Sequence, residues 1–393
     1  MKKTLVALAA LAATGAFAQS SVTMYGSIDV AFGSKTHTAF DGSTASKTTG
    51  IMEGLNAGNR IGFRGTEDLG GGLRANFVIE NGINITNGQL FSTRAAAAGQ
   101  QIDGLVAQGS ANMPNFAYSP STNRQSYVAL DSAMLGQVRL GYQYTNLYQL
   151  STLSGYMNGS EQPGSDIAHL ISNADFGGTR ANGVTYMSPR FAGVQATFQH
   201  GAGTGRELVE STATNPALTD SANVRNGLMF NYNGVKSLDV SYAHTLFNSR
   251  NNLPTTTTDY AAKLHQLGAS YTFPMAKVSG TFNKGTRDES VAGTSQKYQS
   301  QQIGIEGLFG ALRPYLQIGS GTVYNTNAAG VETTSGDYKT QQFGVRYDLS
   351  KRTTAYFMMG TSKDDAAVNG TGMTAANYLA KREVTALGIY HAF

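Results

Sequence analysis

The residues of this sequence whose charge and spacing could serve a chemical role are arginines set in segments where apolar and polar residues alternate. In each segment the arginines fall on the face that the alternating apolar side chains leave free. Positive side chains gathered on one face attract anions. The arginines placed by this alternation are Arg60, Arg64, Arg74 and Arg139, and Glu80 shares the face of Arg74.

No catalytic or metal-binding pattern accompanies these arginines. The sequence contains no Gly-x-Ser-x-Gly elbow, no His-Glu-x-x-His and no Walker pattern. Its six histidines are scattered without metal-ligand spacing, and it has no cysteine. The glycine-rich run 201–205 falls in a predicted loop and is not expected to bind a nucleotide. We therefore expect no enzyme activity, no metal and no cofactor, although composition leaves open a hydrolytic Ser-His-Asp triad.

The composition indicates a large β-structured protein with few charges. Only 14% of the 393 residues are charged, against about 25% in an ordinary soluble domain, and 47 are glycine. A net charge of +4 is too small to indicate a nucleic-acid partner. No stretch reaches the roughly 18 apolar residues of a membrane-spanning helix. The many Tyr, Phe, Val and Leu residues exclude a disordered chain, and the lack of cysteine excludes a disulfide scaffold.

Residues 1–18 form a predicted export signal. Lys2 and Lys3 precede a short apolar core at 5–13, and Ala16-Phe17-Ala18 has the small-x-small form of a signal-peptidase site. The alternative, an N-terminal anchor helix, would need a longer apolar core. Cleavage after Ala18 would leave residues 19–393 as one barrel domain and lower the net charge from +4 to +2.

The rest of the chain has the period of two that is typical of β-strands. In the first such segment, Met24 and Ile28 share one face while Tyr25 and Ser27 share the other. Seven short turns and eight long polar connections imply sixteen strands. Short turns at one end and long loops at the other predict an all-β, antiparallel transmembrane β-barrel. The long connections are predicted at 34–55, 83–122, 146–179, 201–222, 248–262, 286–298, 322–338 and 364–382.

The last strand distinguishes this barrel from a soluble β-sandwich or solenoid, which is the competing fold. Leu387 and Ile389 alternate with Gly388 and Tyr390, and the chain ends on Phe393. A terminal strand ending on phenylalanine looks like the assembly signal of outer-membrane barrels, so we expect the barrel assembly machinery as a partner. Pairing this strand with residues 22–32 would leave no open edge in lipid.

Four segments carry a family resemblance. They are Asn59-Arg-Ile-Gly-Phe-Arg-Gly-Thr-Glu-Asp-Leu-Gly-Gly-Gly-Leu-Arg-Ala75, Arg124-Gln-Ser-Tyr-Val-Ala-Leu-Asp131, Gly136-Gln-Val-Arg-Leu-Gly141 and Gly388-Ile-Tyr-His-Ala-Phe393. They resemble general porins of Gram-negative bacteria, especially those of β-proteobacteria. The resemblance implies a sixteen-stranded homotrimer in the outer membrane, surrounded by lipid and lipopolysaccharide. Each monomer would hold its own pore, narrowed by a third extracellular loop that folds inward.

The resemblance also implies a constriction with basic residues on one wall and acidic residues on the other. It places Arg60, Arg124 and Arg180 in a basic ladder. The constriction loop, about 146–179, would supply the acidic side with Glu161, Asp166 and Asp175. A narrow lumen bounded by protein focuses the field of such charges and orients polar solutes. Any one of the arginines could instead lie at a rim, solvated or paired with lipopolysaccharide phosphate.

Two features depart from the family pattern. The connection 83–122 is longer than expected at the place where relatives latch onto a neighbouring monomer, so the trimer contacts would differ. Leu140-Gly-Tyr-Gln143 stands where relatives often carry Leu-Gly-Arg-Gln, which would remove one arginine from the pore.

The function expected from these features is passive diffusion of small hydrophilic solutes and ions across the outer membrane, with a mild preference for anions. A substrate-preferring channel for an oligosaccharide or organic anion is the first alternative. It would need an aromatic track along the lumen, for which Tyr25, Tyr315 and Tyr356 are candidates. A closed adhesive or structural barrel is the second alternative.

Overall fold

The computed structural model of the chain shows a closed antiparallel β-barrel, as the sequence predicts. The structure describes residues 21–39, 44–86, 89–90, 101–102, 105–106, 123–151, 180–202, 220–253, 256–257, 260–288, 294–364 and 379–393. No helix in these ranges is long and apolar enough to cross a bilayer.

Sixteen strand positions form the barrel wall in the described part of the chain, and each strand pairs with the next along the sequence. Two collinear segments together make up β2. The strands are β1 (Ser21–Ala39), β2 (Thr44–Glu53 and Arg60–Gly70), β3 (Leu73–Asn84), β4 (Asn123–Ser132), β5 (Gly136–Tyr144), β6 (Arg180–Met187), β7 (Val194–Ala202), β8 (Asp220–Tyr232), β9 (Leu238–Leu253), β10 (Tyr260–Thr272), β11 (Ala276–Asp288), β12 (Ser295–Gly307), β13 (Leu312–Thr326), β14 (Glu332–Asp348), β15 (Thr353–Asp364) and β16 (Leu379–Ala392).

Shorter elements lie in the connections. Helix α1 (Asn146–Ser151) follows β5. The two-residue strands are Gln89–Leu90, Gln101–Ile102, Leu105–Val106 and Thr256–Thr257.

The alternation of residues along each strand gives the wall an apolar outer face and a polar inner face. In β10, Leu267 and Tyr271 face outward and are 50% and 40% exposed, whereas Gln266 and Ser270 face inward and are buried. Each strand position pairs with both of its neighbours, which closes the sheet, although the segment Thr44–Glu53 of β2 pairs only with β1 among the described residues. This arrangement fits a membrane-spanning barrel and not a sandwich, whose apolar faces would be buried in a core.

The barrel closes where β16 pairs with β1, from Ser27 opposite Ala392 to Ala39 opposite Leu379. The last residue continues this ladder, because Phe393 and Gly26 exchange two backbone hydrogen bonds of 3.1 Å. The aromatic ring of Phe393 covers Gly26, where a Cβ atom would come within 2.4 Å of the ring. The predicted pairing of the first and last strands is therefore confirmed.

The seven short turns lie at one end of the barrel, as predicted. The tightest joins β2 to β3 through Gly70, Gly71 and Gly72, whose φ angles of +81°, +60° and +79° favour glycine. Four of the predicted long connections, 34–55, 248–262, 286–298 and 322–338, were wrong, because strand residues occupy most of each. β1 extends to Ala39 and β2 starts at Thr44, so strand residues occupy most of 34–55. β13 and β14 likewise leave only residues 327–331 between them.

The physical reason is that polarity does not end a strand whose backbone remains paired. The polar stretch 34–38 of β1 pairs with β2 on one side and with β16 on the other. Both ladders satisfy the backbone hydrogen bonds above the apolar band, so the strands continue into the aqueous region.

Candidate pore constriction

The chain leaves the barrel wall at the end of β5 and enters the lumen. The side chain of Gln199, on the inner face of β7, donates to the Tyr144 carbonyl at 3.0 Å and accepts from the Asn146 amide at 3.3 Å. Thr145 caps the helix, since its hydroxyl accepts from the Tyr148 amide at 3.3 Å. Helix α1 thus begins inside the barrel.

Two leucines fix α1 against the inner wall, and both are fully buried. Leu147 belongs to a buried cluster with Phe247 and Leu264, on β9 and β10, while Leu150 packs with Met229 on β8. The predicted constriction loop therefore starts inward. Its three candidate acids, Glu161, Asp166 and Asp175, lie outside the described residues.

A β-bulge in β4 turns Arg124 toward the lumen. The pairing of β3 with β4 shifts between Glu80 and Asn81, which leaves Arg124 as an extra residue in the ladder. Strict alternation from Val128, which is 58% exposed on the outer face, would direct Arg124 into lipid. The bulge instead allows Arg124 to reach Glu80 on the inner face.

Four side chains meet at this bulge. Arg124 Nε lies 2.7 Å from Glu80 Oε1, and their side chains are 13% and 5% exposed. Arg124 Nη2 donates to the Tyr144 hydroxyl at 2.7 Å, and that hydroxyl donates to Glu80 Oε1 at 3.2 Å. The Tyr25 hydroxyl donates to Glu80 Oε2 at 3.1 Å. Both oxygens of Glu80 are therefore satisfied in a shielded, charge-assisted network.

Arginines pack on the tyrosine rings of this wall. Arg64 Cζ lies 5.2 Å from the ring centroid of Tyr25, and Arg180 Cζ lies 5.1 Å from that of Tyr144. Arg139 Cζ lies 5.1 Å from the centroid of a further ring, that of Tyr127. These distances are within the range of cation–π attraction, which restrains each guanidinium without neutralising it.

Arg60 completes the basic side of the lumen. It pairs with Ser27 and shares the inner face of Gly62, where a Cβ atom would come within 2.6 Å of the Tyr25 ring. The described part of this wall therefore carries five of the six predicted arginines on its inner face, and one of them, Arg124, is bound by the carboxylate of Glu80. The five are Arg60, Arg64, Arg124, Arg139 and Arg180.

Arg74 lies apart from this group, close to the short turn between β2 and β3. It forms an ion pair of 2.8 Å with Asp131, and its side chain is 52% exposed. Other arginines near this end of the barrel are paired in the same way. Arg313 lies 2.7 Å from Asp348, and Arg346 binds Glu306. Because each of these three arginines is paired with a carboxylate, together they add little net charge to the short-turn end of the lumen.

The wall half-way round the barrel from the arginines carries neutral amides. Gln266 donates to Asn283 at 3.0 Å, and Asn283 donates to Ser300 at 3.1 Å, all on the inner faces of β10 to β12. Gln317 and Gln342 continue this surface on β13 and β14 and are buried. The described inner faces of β10 to β14 therefore carry a row of neutral amides, with the charged groups Lys277, Glu306 and Arg346 near the short turns and Arg287 toward the other end of β11.

Several residues of the lumen were not predicted from the sequence. Arg225 on β8 is only 3% exposed, and its Cζ lies 5.7 Å from the Phe247 ring centroid. Alternation with Leu228 would have placed it inward. Tyr144 has no such signal, because its contacts depend on the chain leaving the wall. No group of three or more potential metal ligands occurs among the described residues.

The candidate aromatic track does not line an open lumen. Tyr315 and Tyr356 do face inward, but each is only 2% exposed because other residues cover them. Leu55, in the interruption of β2, belongs to the buried cluster that contains both rings. Tyr25 is held by Glu80 and Arg64, as described above.

Comparison with known proteins identifies a consistent set of relatives. The model of a family described as Gram-negative porin matches residues 4–367. Outer membrane porin protein 32 of Delftia acidovorans is 29% identical over 418 aligned residues, and an outer membrane porin protein of Bordetella pertussis is 27% identical over 442. Both alignments cover 100% of each chain.

Solved structures share the fold. An anion-selective porin from Comamonas acidovorans superposes with a TM-score of 0.64 at 23% identity, covering 95% of this chain and 100% of the other. The trimer form of OmpT, an outer-membrane protein of Vibrio cholerae, gives a TM-score of 0.61 at 11% identity and covers 95% and 99%.

Proposed function

The chain belongs to the Gram-negative porin family and forms a passive channel of the outer membrane, and we propose that this channel prefers anions. The observation that carries the proposal is the group of five inward arginines on this wall, of which only Arg124 is paired with Glu80. Because Glu80 is already bound by Arg124, the other four guanidinium charges remain available to a solute. The Comamonas relative is described as anion-selective, which agrees with this proposal.

The mechanism is diffusion guided by fixed charge, without a cofactor, enzymatic step or energy coupling. Four of the five guanidinium groups, those of Arg64, Arg124, Arg139 and Arg180, lie over tyrosine rings, so their positions do not have to reorganise when a solute arrives. Positive potential focused in the lumen raises the local concentration of anions. The amide wall opposite offers hydrogen bonds that replace part of the hydration shell of a polar solute.

A solute-uptake experiment tests this proposal. Liposomes that contain the purified protein are exposed to a sugar, its carboxylate derivative and its amine derivative, which match in size. We expect the carboxylate to enter faster than the neutral sugar, and the amine to enter more slowly. Equal rates for all three solutes would contradict the proposed anion preference. If no solute entered, the closed adhesive or structural barrel would be favoured instead.

We also propose that residues 1–18 are removed on export. We further propose that the loop at about 146–179 supplies the acidic side of the constriction with Glu161, Asp166 and Asp175. The inward start of α1 supports the direction of that loop. Mass spectrometry of the outer-membrane protein should give a mature N-terminus at Gln19. Neutralising the three acids should increase the anion preference.

The proposed assembly is a homotrimer inserted by the barrel assembly machinery. The trimer form of the structurally similar Vibrio protein supports this state. Native mass spectrometry in detergent should give three times the mature chain mass. A uniform monomer that still conducts would contradict the assembly proposal while leaving the channel proposal intact.

Lipopolysaccharide is the proposed neighbour at the outer rim. Lys339, Lys363 and Lys381 are consecutive cross-strand partners on β14, β15 and β16. Each lies on the outward face, above apolar residues such as Phe343 and Leu387. Like charges on directly opposed residues destabilise a sheet unless an anion lies between them. Glu383 lies 2.6 Å from Lys381 and offsets one of the three charges. Lipid phosphate would supply the remaining anion.

A further inference from the structure

The interruption of β2 is an inward bulge of six residues, 54–59. Val30 of β1 pairs with Glu53, and Ser27 pairs with Arg60. Only two residues of β1, at 28–29, therefore face the six residues at 54–59. We call this segment the inner bulge.

The inner bulge folds into the lumen. Leu55 is fully buried and belongs to a cluster with Tyr356, Met358 and Val384, whose side chains lie on the inner faces of β15 and β16. The bulge therefore lies across the inner surface of the strands that close the barrel, and it occupies part of the cross-section at this height.

Asp29 anchors the bulge from β1. Its carboxylate Oδ2 accepts from the backbone amides of Asn56 at 2.5 Å and Ala57 at 2.9 Å, while Oδ1 accepts from the Tyr356 hydroxyl at 2.6 Å. The backbone of Asp29 also accepts from the Gly54 amide at 3.2 Å. Asp29 is completely buried, so the bulge depends on a carboxylate that has no contact with solvent.

The other end of the bulge touches the arginine wall. The side-chain amide of Asn59 donates to Glu53 at 2.8 Å, and Glu53 accepts from the Ile85 backbone amide at 2.6 Å. Gly58 lies directly beside Arg124, because a Cβ atom on Gly58 would come within 2.8 Å of Nη1 of that arginine. The backbone at Gly58 thus limits where the Arg124 guanidinium can lie.

We propose that the inner bulge is a fixed narrowing element of the pore, distinct from the connection that begins at α1, and that it positions Arg124 through Gly58. Asp29 is the positioning residue that holds the bulge across the lumen. The proposal rests on the proposed function only because solutes must cross this lumen. Its claim about pore size is independent of the proposed anion preference.

Removal of the bulge tests its effect on pore size. In the variant, a Ser-Leu dipeptide replaces residues 54–59, so that β2 pairs continuously with β1, and Asp29→Asn removes the carboxylate left without partners. We expect higher single-channel conductance and entry of larger neutral polyethylene glycols than in the parent. The matched control carries Asp29→Asn alone. An unchanged conductance and polymer limit in a folded variant would overturn the proposal.

Gly58→Ala tests the link to Arg124 without removing any chain. The added methyl group meets the flexible end of Arg124, so the barrel should fold normally while the guanidinium shifts. We expect a changed reversal potential in the otherwise unaltered protein and no further change in an Arg124→Gln background. The same shift in both backgrounds, or none in either, would overturn the positioning role.

These two tests separate the bulge from the proposed anion preference. If the bulge-deleted protein fails to fold, the polymer limit of Asp29→Asn, which removes the anchoring carboxylate, decides the narrowing role, and the Gly58→Ala comparison decides the positioning of Arg124. A parent channel without anion preference would contradict the proposed function, yet a larger polymer limit after removal of the bulge would still support this inference.

Discussion

The guanidinium of Arg124 lies 2.7 Å from the carboxylate of Glu80, across the junction of β3 and β4. The contact exists because a bulge leaves Arg124 outside the regular alternation of its strand. One arginine charge of this wall is thereby neutralised, and the charges of its neighbours remain for solutes. The Glu80 pair therefore sets both the local stability and the net field of the constriction.

Replacing Glu80 and replacing Arg124 should shift the ion selectivity of the channel in opposite directions. Glu80→Gln removes the carboxylate that binds Arg124 and frees its guanidinium, so anion preference should rise. Arg124→Gln leaves the buried Glu80 carboxylate with only tyrosine hydroxyls as partners. The loss of its ion pair should lower the free energy of unfolding by about 3 kcal/mol. The loss of one positive charge should also lower the anion preference. Reversal potentials and thermal unfolding measure the two effects. Shifts of the same sign in both variants would contradict this account.

Neutralisation of Arg60, Arg124 and Arg180 should weaken the anion preference strongly, because all three belong to the basic wall. The matched control is Arg74→Gln, whose guanidinium is already paired with Asp131 and half-exposed near the short turns. Salt-gradient measurements on both variants check the prediction. A control shift as large as that of the triple variant would show that the arginine cluster is misplaced.

Barrel closure should depend on the fit between Gly26 and the Phe393 ring. Gly26→Ala places a methyl group where the ring now lies, within 2.4 Å of it. We expect slower folding into detergent or liposomes and a lower temperature of unfolding. Gly70→Ala in the β2–β3 turn is the comparison: its Cβ meets no neighbouring atom, although its φ of +81° adds local strain. Equal behaviour of the two variants would argue against a special role for Phe393.

Replacement of Lys339, Lys363 and Lys381 by glutamine should weaken retention of lipopolysaccharide, because the row of positive charge on β14 to β16 would be gone. Co-purified lipopolysaccharide per barrel measures the effect, and lipid A without phosphate should bind both proteins equally weakly. The control, Lys277→Gln, lies on the inner face of β11, opposite Glu306. Unchanged retention of lipopolysaccharide in the triple variant would contradict the proposed contact between these lysines and lipid phosphate.

Alternation in the sequence predicted most of the fold, because each strand must separate lipid from water. It placed Arg60, Arg64 and Arg139 inward correctly, since these strands pair regularly where they lie. It could not place Arg124 or Tyr144, whose orientations depend on a bulge and on the exit of the chain into the lumen. Nor could it find the inner bulge, because residues 54–59 are held by Asp29 and Tyr356 from strands distant in sequence.

The most direct test of the central claim is the reversal potential of the unaltered channel in a planar bilayer under a potassium chloride gradient. The two ions have similar mobility, so the sign of the potential reports the charge of the constriction. We predict the sign of chloride preference, declining at high ionic strength as salt screens the arginines. A potential with the sign of potassium preference would contradict the account.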